Sequence, residues 1–165
     1  MRIFTIVLLG VLVLVAGVLV PAMWFNLREL RDADTAGAQA VAAAKKVAPD
    51  LLSYDYRTVE EDLARAGTFT TGELTAHYKE LSTSLTSRAK AEKITQKVKV
   101  AGAGVERAEA DRVDVLLFVN TDTVKEIPGK AGRQTTVSNN RARFVMVRQD
   151  SRWLVAGLST LLGTA

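Results

Sequence analysis

Cysteine is absent from the 165 residues, and histidine occurs once. Without cysteine there is neither a disulfide framework nor a thiolate metal site, and His77 alone cannot build a multi-histidine one. A carboxylate calcium loop is missing as well, since no cluster of Asp and Asn at alternate positions ends in Glu. An excess of one charge is also lacking: 22 basic and 18 acidic side chains leave a formal net charge of +4. That charge is spread too evenly for a nucleic-acid footprint, so no nucleic acid is expected as a partner. Gly-rich phosphate loops are missing too, because Gly102-Ala103-Gly104 lies inside a strand pattern with no helix and Lys behind it. No internal repeat, low-complexity tract or long linker interrupts the chain, and no metal or cofactor is expected.

What is there begins with hydrocarbon. Ile3 to Phe25 reads IFTIVLLGVLVLVAGVLVPAMWF, without charge and with Thr5 as its only hydroxyl. At 1.5 Å per residue this spans the roughly 30 Å core of a bilayer. It is too long for the apolar part of a cleaved signal peptide and lacks an A-x-A site. Residues 1–25 therefore read as a transmembrane anchor, with Trp24 and Phe25 suited to the interfacial belt. Arg2 precedes the span and Arg28 and Arg31 follow it, so basic residues do not set its direction. A short tail before one span and a folded C-terminal part favours an extracytoplasmic domain in the cell membrane. About 140 residues remain, enough for one domain with its own core.

Residues 26–50 are rich in helix formers and carry Ala33, Ala36, Ala40, Val41, Ala44, Val47 and Ala48 at helical spacing. This reads as a helical stalk, docked through a shallow stripe on its own domain or on a partner's helix. Residues 51–165 form the domain itself. In LLSYDYRTVEEDL (51–63), Thr58 and Glu61 match a capping box, and Leu52, Tyr56, Val59 and Leu63 share a side. Tyr54 and Asp55 sit in the expected bend, with Glu60 and Asp62 pointing elsewhere. The stretch reads as a structural joint. Acid–base work needs a desolvated carboxylate beside a second titrating group, and none is legible here. Thr70 and Glu73 suggest a second capping box, followed by a helix over 71–88 with Leu74, Tyr78, Leu81 and Leu85 on one side and His77 at its border.

From Lys93 the period becomes two. Ile94, Val98 and Val100 form one face of a strand, and the change of parity between Gly102 and Val105 predicts a bulge. Val113, Val115, Leu117 and Val119 face one way, Leu116 and Phe118 the other, which predicts a central strand covered on both sides. Residues 125–134 read as a loop between long strands, and Gln149 to Arg152 as a hairpin turn. Arg133, Arg141, Arg143, Arg148 and Arg152 alternate as a solvated face. Helices first and antiparallel strands after give an α+β class, with helices packed on a curved antiparallel sheet.

The apolar N-terminal run, the Ala-rich helix, LLSYDYRTVEEDLARA, TGELTAHY, DRVDVLLFVN and DSRWLVAGL are similar, in that order, to the Mce-associated membrane proteins of actinobacteria. These are partners of the mammalian-cell-entry lipid importers. The resemblance implies a single-pass membrane protein with a cone-shaped domain like that of nuclear transport factor 2, and a distant likeness in shape to type IV secretion assembly proteins. It implies that Tyr54, Asp55 and Thr58 match the family's joint, and it carries no catalytic residues. Ser151 departs from the pattern, in which a Gly often precedes the Arg-Trp pair, leaving the turn type open. The expected function is an accessory subunit that assembles or stabilises an Mce-type lipid or sterol importer through protein contacts. Two alternatives are an assembly factor of the type IV kind and a lipid carrier whose cavity is lined by Phe69, Tyr78, Phe118, Phe144 and Trp153. An enzyme is not expected, since an isomerase-like site would need Asp55, Tyr56 and His77 to converge.

Overall fold

The computed structural model describes residues 28, 30–127 and 132–161. The anchor read at residues 1–25 lies outside them. Among the described residues no helix is long and apolar enough to cross a membrane.

A first helix, α1, occupies residues 30–52. It runs through Pro49, placed in its last turns, where a missing N–H costs one helical bond. Ala36, Ala40, Ala44, Val47, Ala48 and Leu51 are buried in the same core as the sheet, so the alanine stripe docks on the chain's own domain. Small residues permit the close approach: a Cβ on Gly37 would stand 3.2 Å from Val105 Cγ2.

The remaining elements are β1 (Tyr54–Asp55), α2 (Val59–Gly67), α3 (Glu73–Ala91), β2 (Thr95–Ala108), β3 (Arg112–Glu126), β4 (Arg133–Gln149) and β5 (Arg152–Leu161). The strands make one antiparallel sheet in the order β1-β2-β3-β4-β5. β3 is central, as its apolar density predicts. Only one of its faces is covered, however. Val113, Val115, Leu117 and Val119 are buried, whereas Phe118 is 46% exposed, because the helices lie on a single side of the sheet. The bulge expected after Val100 is present as two register shifts, Val100/Gly102 and Val105/Arg107. A third falls at Val145/Met146 in the β4–β5 ladder, and such shifts are where a sheet bends.

Both capping boxes fail. Thr58 stands at the α2 N-cap without a side-chain cap bond, and its hydroxyl turns instead to Asp62. The α3 N-cap is Gly72, at φ +62, and Thr70 donates to the Gly67 carbonyl. Tyr54 and Asp55 are not a bend but the short edge strand β1, paired with Gln96 and Thr95. Leu81, expected on the α3 core side, is 45% exposed. The strands flanking the 125–134 loop run further than expected, closing their ladder at Glu126 and Arg133. The 149–152 hairpin narrows to a two-residue turn, with Asp150 at φ 46 and Ser151 at φ 66. Positive φ at both central residues is the requirement of a type I′ turn, which settles the turn type.

Candidate functional site

The polar joint between α1, α2 and the start of β2 concentrates the side chains singled out in the sequence. Ser53 Oγ accepts the Val98 amide at 2.9 Å, and Gln96 donates to the Leu52 carbonyl at 2.7 Å. Asp55 accepts from the Thr95 hydroxyl at 3.0 Å and from the Arg57 amide at 3.0 Å. Asp62, expected to point elsewhere, is the hub. It is 9% exposed and accepts from the Asp55 amide at 3.1 Å, the Thr58 hydroxyl at 2.9 Å and the Arg65 guanidinium at 2.7 Å. Burial raises its carboxyl pKa, but these three donors outweigh burial and hold it below the ordinary aspartate value. Sequence reasoning missed Asp62 because it took the capping box at Thr58 and Glu61. The signal was the i, i+4 spacing of Thr58 and Asp62.

Tyr78 reaches across from α3 and donates to the Leu51 carbonyl at 2.6 Å, with burial pushing its phenol up to about 12. Burial also raises Tyr54, against Arg88, which lowers it, while Glu92 adds to the rise. Tyr56 accepts from Arg57 Nε at 3.1 Å, and the guanidinium lies 5.0 Å from its ring centroid.

Asp55, Tyr56 and His77 do not line one pocket. Asp55 borders a depression of about 240 Å³ within the joint, whereas His77 borders one of about 440 Å³ with Glu73, Glu80 and Leu158. The five aromatics proposed for a lipid cavity do not enclose one either. Phe144 is fully buried in the core, Phe69, Tyr78 and Trp153 pack against it, and Phe118 is on the uncovered sheet face. A groove of about 700 Å³ lies between α2 and α3, lined by Leu63, Ala64, Thr75, Tyr78, Ser82 and Thr86 among others. Among the described residues no three His, Asp or Glu side chains are grouped to hold a metal ion. Of the five arginines, Arg133 and Arg143 are paired with Glu126 and Glu106, and Arg141, Arg148 and Arg152 are exposed.

No protein-family model matches the chain. It is 36% identical over 129 residues, 77% of its own length and 77% of the relative's, to the outer membrane protein Rv1973 of Mycobacterium tuberculosis. The chain belongs to that family. Among solved structures it is similar to an NTF2-like protein involved in plasmid conjugation (14% identity, TM-score 0.53, 78% of this chain and 50% of that one). It is also similar to CagV, a VirB8 homologue of the type IV secretion system of Helicobacter pylori (8% identity, TM-score 0.56, 74% and 96%). These likenesses show the fold: helices on a five-stranded antiparallel sheet of the NTF2-like kind. In this chain the SYDYRT segment is the joint of such a domain.

Proposed function

We propose that the chain is a non-enzymatic accessory protein of the cell envelope, tethered by its N-terminal apolar run with the domain outside the cytoplasm. On this reading it assembles or stabilises an Mce-type lipid or sterol importer through protein contacts. The observation that carries the reading is how the joint is used: the carboxylates of Asp55 and Asp62 are each bound to hydroxyl and amide donors of their own fold. What the molecule offers outward is then surface. The name of its relative, an outer membrane protein, supports an envelope setting, and the sequence resemblance supports the importer as partner. Deleting the gene is expected to lower importer subunit levels and fatty-acid or sterol uptake; unchanged levels and uptake reject the reading.

A second reading, an assembly factor of the type IV kind, is favoured by the fold shared with CagV. In-cell crosslinking followed by identification of the captured proteins separates the two, because importer subunits and secretion components are distinct sets. For a lipid carrier, the α2–α3 groove is the candidate pocket, since its volume of about 700 Å³ falls in the range of small-molecule sites. Mass spectrometry of gently purified protein tests that directly.

A further inference from the structure

The bulge at Val105/Arg107 changes which charge faces Asp114. In unbroken register from Val105 opposite Val115, Glu106 would meet Asp114; the extra residue puts Arg107 there instead. Asp114 is nevertheless left without an ion pair. Arg107 turns to Glu109 at 2.8 Å, and Arg143 holds Glu106 through Nε and Nη2. Among the described residues Arg112 has no ion-pair partner either, and Asp114 Oδ1, shut off from water, accepts no hydrogen bond. Arg107, Glu109, Arg112 and Asp114 line a depression of about 260 Å³. Its frame is tied down by the backbone: across the β2–β3 turn the Glu109 amide donates to the Arg112 carbonyl at 2.8 Å, and the Arg148 amide donates to the Asp111 carbonyl at 2.8 Å.

With those four charges paired off, the depression presents one cation and one anion that do not meet. Two residues apart on one face of β3, they are spaced by about 7 Å along the strand. A lone anion at Arg112 would face the Asp114 carboxylate, and a lone cation at Asp114 would face the Arg112 guanidinium. A ligand carrying both charges satisfies both: phosphate oxygens suit the planar fork of Arg112, and a protonated primary amine brings donors to Asp114. The volume lies below the range of complete small-molecule sites and suits a head group. We propose that this depression binds a zwitterion of phosphate and primary ammonium, the head group of an aminophospholipid in the adjoining bilayer. A Cβ on Gly37 would stand 3.2 Å from Val105 and 3.6 Å from Ala108, so this end of β2 lies beside the first turns of α1. It is about 10 Å along that helix from Leu30, which follows closely on the apolar run. The lipid as source, though not the chemistry of the site, rests on the proposed membrane tether.

Calorimetric titration of the full chain in neutral detergent with O-phosphoethanolamine, glycerol 3-phosphate and ethanolamine tests the chemistry. Phosphoethanolamine is expected to bind about tenfold or more tightly than either half-ligand, the scale of one charge-assisted bond. Asp114→Asn should erase its advantage over glycerol 3-phosphate and leave the affinity for glycerol 3-phosphate unchanged. Arg112→Gln, on an exposed side chain, should weaken both phosphates about tenfold, and Arg148→Gln, outside the depression, should weaken neither. No preference for phosphoethanolamine overturns the proposal, as does a preference that survives both Asp114→Asn and Arg112→Gln. The source is tested in nanodiscs. Because the chain has no cysteine, Ala110→Cys in the exposed β2–β3 turn carries a polarity-sensitive dye at a single thiol. Its emission is expected to shift to the blue in equimolar phosphatidylethanolamine and phosphatidylglycerol relative to phosphatidylglycerol alone, and Arg112→Gln should abolish the shift. Equal emission in the two bilayers overturns the lipid as source. A chain that fails to co-elute with nanodiscs removes the tether and the lipid source with it, while the titration in detergent still decides the chemistry of the site.

Discussion

Asp62 gathers an amide, a hydroxyl and a guanidinium from three parts of the joint. Asn at this position keeps the volume but turns one oxygen into a donor facing donors. Asp62→Asn is expected to cost about 2 kcal/mol in urea unfolding at neutral pH, the scale of lost charge-assisted bonds at a buried site. The pH dependence has a definite sign. With the folded carboxyl held below its ordinary value of about 4, the unfolded chain binds the proton first as pH falls. Its contribution is complete above that value and is lost as pH falls through the lower, folded one. Unfolding profiles of wild type and Asp62→Asn should therefore converge in acid and separate above about pH 4; parallel profiles would refute the assignment. Tyr78→Phe isolates a neighbouring contact. It leaves the Leu51 carbonyl without its phenol, a loss of about 1 kcal/mol. It also removes from the ultraviolet titration the tyrosine that ionises at about 12.

At the scale of elements, the β4–β5 turn and the α1 stripe make opposite demands on side-chain size. Ser151 holds φ 66, a region that costs a residue with a Cβ about 1 kcal/mol and glycine far less. Ser151→Gly is expected to raise stability by about 0.5–1 kcal/mol, visible as a higher Tm, and to leave β4 and β5 in register. Ala44, fully buried against the sheet, tolerates no enlargement, so Ala44→Leu should lose about 1–3 kcal/mol through overpacking. These elements were the most legible in the chain. A period of two with a parity break at Gly102–Val105 shows both strand and bulge, and a period of 3.6 in Ala36–Ala48 shows a helix that must lie close. Thr58 and Thr70 were misread because a capping box and another local side-chain bond look alike in sequence: the same hydroxyl can cap its own helix or serve Asp62 or Thr75. Phe118 was misread for a different reason. Alternation shows that a residue sits on the second face, but whether anything covers that face depends on where the helices go.

For the whole molecule, the helix that leads out of the N-terminal run is not a detachable stem. Ala36, Ala40, Ala44, Val47, Ala48 and Leu51 belong to one cluster with Val115, Leu117, Phe144 and Met146. The joint then fastens the end of α1 to both α3 and β2, through Leu51 to Tyr78 and through Leu52 to Gln96. Without α1, the part of the core face that its six buried side chains cover would lie open to water, leaving Ala66, Phe69, Leu74 and Tyr78 to shield the rest. At about 25 cal/mol per Å² of apolar surface, such exposure exceeds the 5–15 kcal/mol by which domains of this size are stable once several large side chains are uncovered. A chain beginning at residue 53 is therefore expected to show no cooperative thermal transition and to bind hydrophobic dyes. A chain beginning at residue 28 is expected to unfold in a single transition, reported alike by near- and far-ultraviolet circular dichroism. Independent folding of the shorter chain would show that α1 is a tether alone. Cooperative loss would show instead that any pull or contact at the N-terminal end of α1 is felt by the sheet, since helix and sheet share one core.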